Sequence, residues 1–404
     1  MRAAVDTPTC KRRSELSERS AGLDNQSSPR CDGYNGYITI SMFPKRQNGP
    51  DEPESLPEKS TVAIVTKSDS LAFFHSTTSG VGAHTGAMMI QLAIGKALKE
   101  SGLIEKLEKY NRNIVLMTLP AEELKNIGSS SVNFDMKNYN IVPVQFRTED
   151  SVVNGPSSKM RKSYSTLSYT LEKDVTGYLG PVQLKIKSLR NIIELGQLDA
   201  SPENVFLHGE SSVDSGVLNS FVRNAANQEL SFSPASENNG LPSTLMNAFF
   251  ESAEAESELS SKSVYVGNFD TQFRNKFHNS MFDDLANFGF SEEYCTNVTF
   301  KNEGNSVSKH SLFNSFSGKK LANYATSVAR AAVDLALEET EFSPAELLAL
   351  TITEDTIQEL FCCFLGNPQK CDLISPLFDT TFSGRKFSTT GCYYHTVFDI
   401  DFCL

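Results

Sequence analysis

Two short apolar runs on either side of a helical-period segment constrain this chain more than any other feature. TVAIVTK (61–67) and NIVLMTL (113–119) are rich in β-branched and apolar residues and bounded by polar ones, the pattern of strands covered on both faces. Between them, AMMIQLAIGKALKESG (87–102) carries apolar residues at helical spacing, with Gly102 as a natural stop. Strand, helix, strand in that order predicts a βαβ crossover. The fold class that follows is α/β, a mixed, largely parallel sheet covered by helices on both faces.

The rest of the chain extends this reading. RNIIELGQL (190–198) is a third strand, NVFLHGE (204–210) a fourth and SVYVGNFD (263–270) a further one, with a helix at GVLNSFVRNAAN (216–227). KKLANYATSVARAAVDLALEE (319–339) puts Leu321, Tyr324, Ala325, Val328, Ala332, Leu335 and Ala336 on one helical face. In PAELLALTITEDTIQELFCCFLG (344–366), Thr351 or Thr353 caps a helix with Ile357, Leu360, Phe361 and Phe364 inward. Residues 1–57 read as a Pro- and charge-rich N-terminal extension, 58–340 as the α/β domain and 341–404 as a helical and irregular C-terminal segment. Within the domain, 144–180 is polar and Ser-rich, between Pro143-Val144-Gln145 and its repeat Pro181-Val182-Gln183. It reads as a surface loop insertion.

Charge and cysteines bound the function. With 37 Lys and Arg against 49 Asp and Glu, the formal charge is −12, which argues against nucleic acid as a partner. No run approaches the roughly 20 apolar residues of a membrane span, and MRAAVDTPTCKRRSE lacks the apolar core of a signal peptide. The eight cysteines gather at the two ends of the chain. Cys10 and Cys31 bracket a polar segment that a disulfide would order, and no C-x2-C spacing suggests zinc. The sequons at Asn25 and Asn297 are glycosylation candidates that fit a lumenal or extracellular chain.

The candidate chemistry lies at Glu122-Glu123, directly after a buried strand, because strand C-termini in open α/β sheets are where polar groups converge on ligands. One carboxylate could act as a general base and the other as a metal ligand. The alternative is a solvated helix N-terminus whose acids complement the macrodipole. GVGAHTG (80–86) lacks the Lys-Ser/Thr ending of a phosphate loop, and its glycines suit a tight turn into a helix. His208, His310 and His395 have no partner pattern.

KSDSLAFFHS (67–76), IGSSSVNFDM (127–136), LRNIIELGQL (189–198), LPSTLMNAFF (241–250), FRNKFHNSMFDD (273–284) and TEDTIQELFCCFL (353–365) together resemble the zinc aminopeptidase fold, and more closely the nicastrin family. The resemblance implies an aminopeptidase-like fold. Active aminopeptidases of this fold hold two zinc ions with two histidines, a bridging aspartate, further acids and a glutamate base. Here the first histidine falls on Lys67, with its supporting acid retained as Asp69. The bridge falls on Gly82 or a neighbour, the base on Glu122, the next ligand on Glu123 and the fourth near Glu194. The last histidine falls on Asn279, ahead of Asp283. That implies a pseudo-peptidase with no metal and no cofactor, in which the Lys67 ammonium pairs with Glu122, Glu123 or Glu194. His84 and His278 lie one or two residues from ligand positions, so a register shift could restore a site.

The family's role implies a noncatalytic subunit of γ-secretase, partnered by presenilin and two small membrane subunits on the lumenal or extracellular side of ER, Golgi and plasma membrane. Its members screen type I membrane-protein substrates of the Notch and amyloid-precursor kinds, either through a free amino terminus near Glu122 or by steric bulk. Lys125 replaces the aspartate of the family's D-Y-I-G-S signature, here Lys125-Asn126-Ile127-Gly128-Ser129. The family's membrane span, signal peptide and N-terminal lid are not evident in the sequence, so the chain reads as a fragment. Two other readings stand beside this one: an active zinc aminopeptidase, and a soluble binding module.

Overall fold

The computed structural model describes residues 39–44, 54–70, 79–123, 126–138, 142–143, 169–170, 182–210, 212–227, 229–236, 241–251, 257–290, 316–337 and 341–366. Its centre is one sheet. The strands are β1 (Thr39–Phe43), β2 (Thr61–Lys67), β3 (Asn113–Leu119), β4 (Leu189–Leu195), β5 (Asn204–His208), β6 (Ser231–Pro234) and β7 (Val264–Gly267). They lie in the order β1-β3-β2-β4-β7-β5-β6. β3, β2, β4 and β7 run parallel to one another, as do β5 and β6, while β1 pairs antiparallel with β3 and β7 antiparallel with β5. The mixed, largely parallel α/β reading holds.

Strand alternation divides the buried side chains between two cores. Val62, Ile64, Ile114, Leu116, Ile193 and Leu195 enter the larger one. There they meet α1 (Gly86–Glu100) and α6 (Gly318–Ala336). Ala63, Val65, Val115, Met117, Leu119 and Ile192 enter the other, against α3 (Ile127–Asn138) and α5 (Met246–Phe250). Between α1 and α3 lies the short α2 (Leu103–Lys109), and α4 (Ser215–Arg223) packs on α6. Both faces of β2 and β3 are thus covered, which is why their sequences are apolar without alternation.

One polar side chain from α1 is built into the sheet. Gln91 Nε2 donates to the Ile64 and Met117 carbonyls at 2.8 and 2.9 Å, and its Oε1 accepts from Thr118 Oγ1 at 2.6 Å. Gln91→Leu is expected to cost about 1–3 kcal/mol by leaving Thr118 and both carbonyls short of a buried partner. Urea unfolding checks it; a loss under about 0.5 kcal/mol would contradict the staple.

Several expectations need correction. β1 lies inside 1–57, read as an extension, yet it forms the sheet's edge against β3. In 344–366 the expected capped helix is α8 (Glu354–Phe361), and a further short helix that the sequence reading did not place, α7 (Pro344–Ala349), precedes it. Thr353, not Thr351, caps α8, its side chain accepting from Thr356 N. α8 packs on α6 and α1, so this segment joins the main core. Within 144–180, the described Tyr169–Thr170 pair with Val142–Pro143. Cys10, Cys31, Asn25, Asn297, His310, His395, residues 367–404 and the remainder of 144–180 lie outside the described residues.

Candidate functional site

Parallel pairing brings the C-terminal ends of β2, β3 and β4 to one edge, and the candidate residues converge there. β2 ends on Lys67 itself. After β3 the chain reverses through Ala121, at φ 58°, and Asn126, at φ 54°. A left-handed alanine costs roughly 1 kcal/mol, and such strain concentrates where surrounding contacts fix the backbone. Asp69 supplies those contacts: its carboxylate accepts from Glu122 N at 2.9 Å and Glu123 N at 3.0 Å.

The two adjacent glutamates then part. Glu122, 1% exposed, accepts from Ser129 N at 2.6 Å and Ser129 Oγ at 2.8 Å. It therefore occupies the N-terminal turn of α3, where a carboxylate satisfies free N–H groups. Burial pushes its pKa up to about 8, against the two Ser129 hydrogen bonds, which pull it down.

Glu123 faces the cleft. Its Oε1 lies 3.2 Å from Lys67 Nζ and 3.0 Å from His84 Nε2, and its Oε2 accepts from Asn279 Nδ2 at 3.3 Å. The His84 contact is close but lacks the alignment of a hydrogen bond. Burial alone would raise Glu123, yet His84 and Lys67 hold its carboxyl well below the usual range. Lys67 also donates to the Ser243 carbonyl at 3.2 Å. Burial disfavours its charge, but Glu194 and Glu123 overcome that and hold its pKa above the ordinary value.

Glu194 is fully buried, accepting from Thr244 Oγ1 and from Leu245 N at 3.1 Å. Burial lifts it to about 7, with Lys67 opposing. Asn279, at φ 55°, is a third left-handed residue in the cleft. Asp283 does not reach the acids. It accepts from Gly82 N and Ala83 N, both at 2.9 Å, and so closes the turn at 81–85 that leads into α1.

Of the seven expected cleft residues, Lys67, Glu123 and Asn279 touch directly, Asp69 acts through the backbone and Glu194 through its field on Lys67. Glu122 and Asp283 serve local turns instead. The residue reading missed Ser129, Ser243 and Thr244. Only Ser129 was named in the sequence reading, as the last residue of the Lys125-Asn126-Ile127-Gly128-Ser129 signature.

Two zinc ions do not fit this arrangement. The carboxylates that could ligate them accept hydrogen bonds from Ser129, Thr244, Gly82, Ala83 and the Glu122 and Glu123 amides, and an ammonium sits on Glu123. Among the described residues, no group of three or more His, Cys, Asp or Glu is placed to hold a metal ion.

The raised acids set a pH dependence. Glu122 and Glu194 hold their protons more tightly folded, at about 8 and about 7 against an ordinary 4.5. The stability tied to their protonation is fully present below about pH 4.5 and is lost as pH rises through those values. Glu123 works oppositely, its contribution being lost as pH falls below its ordinary value. Urea unfolding at pH 5 and pH 8.5 should show lower stability at the higher pH, by on the order of a few kcal/mol. Glu122→Gln should reduce that difference; an unchanged difference would count against the assignment.

Fold and cleft together define an α/β protein with a mixed, largely parallel sheet whose strand-end acids are engaged by a lysine and by backbone. The family model for the nicastrin large lobe matches residues 60–333, and the chain belongs to that family. The solved structure "Crystal structure of the gamma-secretase component Nicastrin" is 16% identical, with a TM-score of 0.52 over 83% of this chain and 48% of that one. This chain thus spans about half the length of the nicastrin it matches. The LapA aminopeptidase of Legionella pneumophila is 11% identical, with a TM-score of 0.37 over 83% of this chain and 64% of that one. BSAP, a zinc aminopeptidase from Bacillus subtilis, is 13% identical, with a TM-score of 0.37 over 79% and 53%. A comparison with curated proteins returns no match. Among the described residues, no helix is long and apolar enough to cross a membrane.

Proposed function

We propose that this chain is the large-lobe portion of a noncatalytic γ-secretase subunit, standing with presenilin and two small membrane subunits, and that it screens type I membrane-protein substrates without cleaving them. Family membership supports the complex. The observation that carries the absence of catalysis is the Lys67 ammonium on Glu123, 3.2 Å away and nearly excluded from water. A cation already compensates the acid that a metal would need, and the acid at the base position is tied to Ser129. On this reading the chain carries N-linked glycans at Asn25 and Asn297, a Cys10–Cys31 disulfide, and a lumenal or extracellular location.

Screening by capture of a free amino terminus is poorly served by this cleft. Glu123 already faces Lys67, His84 and Asn279, so an incoming ammonium would have to displace one of them. Steric exclusion needs no such exchange. The test is co-expression with presenilin and the small subunits, followed by detergent purification through a tag on this chain. Presenilin should co-purify, and the purified chain should hold less than about 0.1 zinc per molecule and release no amino acid from aminoacyl amides. Two bound zinc ions with Glu122-dependent release would overturn the noncatalytic reading, and absence of presenilin would overturn the complex.

A further inference from the structure

The end of α8 carries the two cysteines found among the described residues, Cys362 and Cys363, and both are disulfide-bonded. They open the wide helical turn Cys362–Gly366 that continues the helix, and both are buried. Cys362 keeps a right-handed helical backbone, at φ −63° and ψ −43°. Successive side chains of a helix point about 100° apart, which holds neighbouring Cβ atoms beyond the ~3.5–4.5 Å that a disulfide spans. The two sulfurs therefore leave the helix toward two different segments. Their partners come from Cys10, Cys31, Cys295, Cys371, Cys392 and Cys403.

Reach narrows the six. Phe361, the residue before the pair, stacks on Phe288 with ring centroids 5.9 Å apart and meets Phe290 at 5.9 Å and Phe316 at 5.7 Å. Phe290 N donates to the Leu285 carbonyl at 2.8 Å, which fixes the course of the chain there. Cys295 follows five residues later, a tether of at most about 18 Å from a residue already against the end of α8. Cys371 is tethered from the other side, eight residues after Cys363. Cys392 and Cys403 lie 29 and 40 residues after Cys363. Because loop closure weakens roughly as the −3/2 power of length, they are about sevenfold and elevenfold poorer partners than Cys371. Cys10 and Cys31 pair with each other on the reading proposed above.

We infer that Cys362 and Cys363 bond to Cys295 and Cys371, one each. The bond to Cys295 joins two parts of the molecule that the cleft needs held together. The loop that ends in Phe288 and Phe290 also carries Asn279, which donates to Glu123, and Asp283, which closes the turn into α1. Aromatic stacking clamps the far end of that loop on α8, and the disulfide makes the clamp covalent. The bond to Cys371 fastens the chain where it leaves the helix.

Each bond forms by exchange with an oxidised low-molecular-weight disulfide. One cysteine thiolate attacks that disulfide and releases one thiolate; the second cysteine thiolate attacks the resulting mixed disulfide and releases the other. Two protons and two electrons thus pass to the carrier, which leaves as two thiols. The bonds need an oxidising compartment and no partner subunit, so the inference goes beyond the γ-secretase reading and stands without it.

Peptide mapping without reduction tests it on the full chain, expressed behind a cleavable secretion signal. The protein is denatured, alkylated with iodoacetamide and cut with trypsin, which releases residues 277–301 with Cys295, 331–370 with Cys362 and Cys363, and 371–385 with Cys371. Mass spectrometry should find these three peptides joined in one species that separates into three on reduction. The inference is overturned by a bond between Cys362 and Cys363, by a bond from either to Cys10, Cys31, Cys392 or Cys403, by alkylation of either, or by a disulfide-linked dimer. Thermal unfolding then reads the clamp. Cys295→Ser should lower the midpoint by about 5–10 °C and Cys371→Ser by less, because the first bond closes a loop of roughly 70 residues and the second one of roughly 10. A Cys295→Ser variant as stable as the parent would overturn the clamp even with the bond present. Failure of presenilin to co-purify would sink the complex and leave every one of these readouts unchanged.

Discussion

Lys67→Met is expected to destabilise the folded chain by about 3–5 kcal/mol, because it strands a buried carboxylate without its counter-charge. Lys67 is 3% exposed and Glu123 11%, so water cannot easily replace the ammonium. Methionine matches the length of the lysine stem and fills much of its space, which separates loss of charge from loss of packing. The paired change Lys67→Met/Glu123→Gln removes both charges and should recover most of the loss. His84 and Asn279 remain beside the neutral amide. Urea unfolding of the two single variants and the double variant gives the coupling directly. A Lys67→Met cost below about 1 kcal/mol, or a double variant no better than the single, would mean the pair does not hold the cleft together. The reverse experiment is informative as well: if Lys67→His together with Asn279→His gained zinc, the lysine would be the element that keeps metal out.

How much of this could be read from residues alone depended on how local each cause is. β2 and β3 were legible because their unbroken apolar runs, VAIV and IVLM, need two covered faces, a property of the segment itself. β1 was not: TISMF is short and sits in polar, Pro-rich surroundings, and its strand conformation comes from pairing with Ile114–Thr118, more than seventy residues away. The cap of α8 was narrowed to two threonines, and only the actual start of the helix chose Thr353. At the cleft, Glu122-Glu123 could be singled out by its place after a strand. Its split into a helix-capping carboxylate and a cleft carboxylate could not, because that follows from the left-handed turns at Ala121 and Asn126. A contact of Lys67 with Glu122, Glu123 or Glu194 was anticipated from the family resemblance, and the fold selects Glu123, whereas the roles of Ser243 and Thr244 depend on a loop that returns to the site from some 180 residues beyond Lys67.

The same turn makes the strongest prediction at a position with no functional side chain. Gly128 opens α3 beside the reversal after β3, and a Cβ there would meet the Pro120 carbonyl oxygen at 2.3 Å and Glu122 Oε1 at 2.7 Å. Helix propensity alone would reward alanine by about 1 kcal/mol, so the two effects oppose each other. Sterics should win, because the nearer atom belongs to backbone held by the β3 exit and cannot rotate away. Gly128→Ala is therefore expected to destabilise by roughly 2–4 kcal/mol, and to loosen Glu122 from Ser129 as the turn shifts. Gly102→Ala is the matched control: nothing lies within 4 Å of its added methyl, and its stability should stay within about 0.5 kcal/mol of the parent. Chemical denaturation of both variants decides the point, and equal stability would show that the turn yields. Adding Glu122→Gln should not rescue Gly128→Ala, because the clash with Pro120 remains whatever the charge on the side chain. The cleft is then fixed from two sides that fail for different reasons, one by removal of a counter-charge and the other by displacement of backbone. Loss of the Glu122–Ser129 contact with Lys67 and Glu123 still paired would separate the turn's contribution from that of the ion pair.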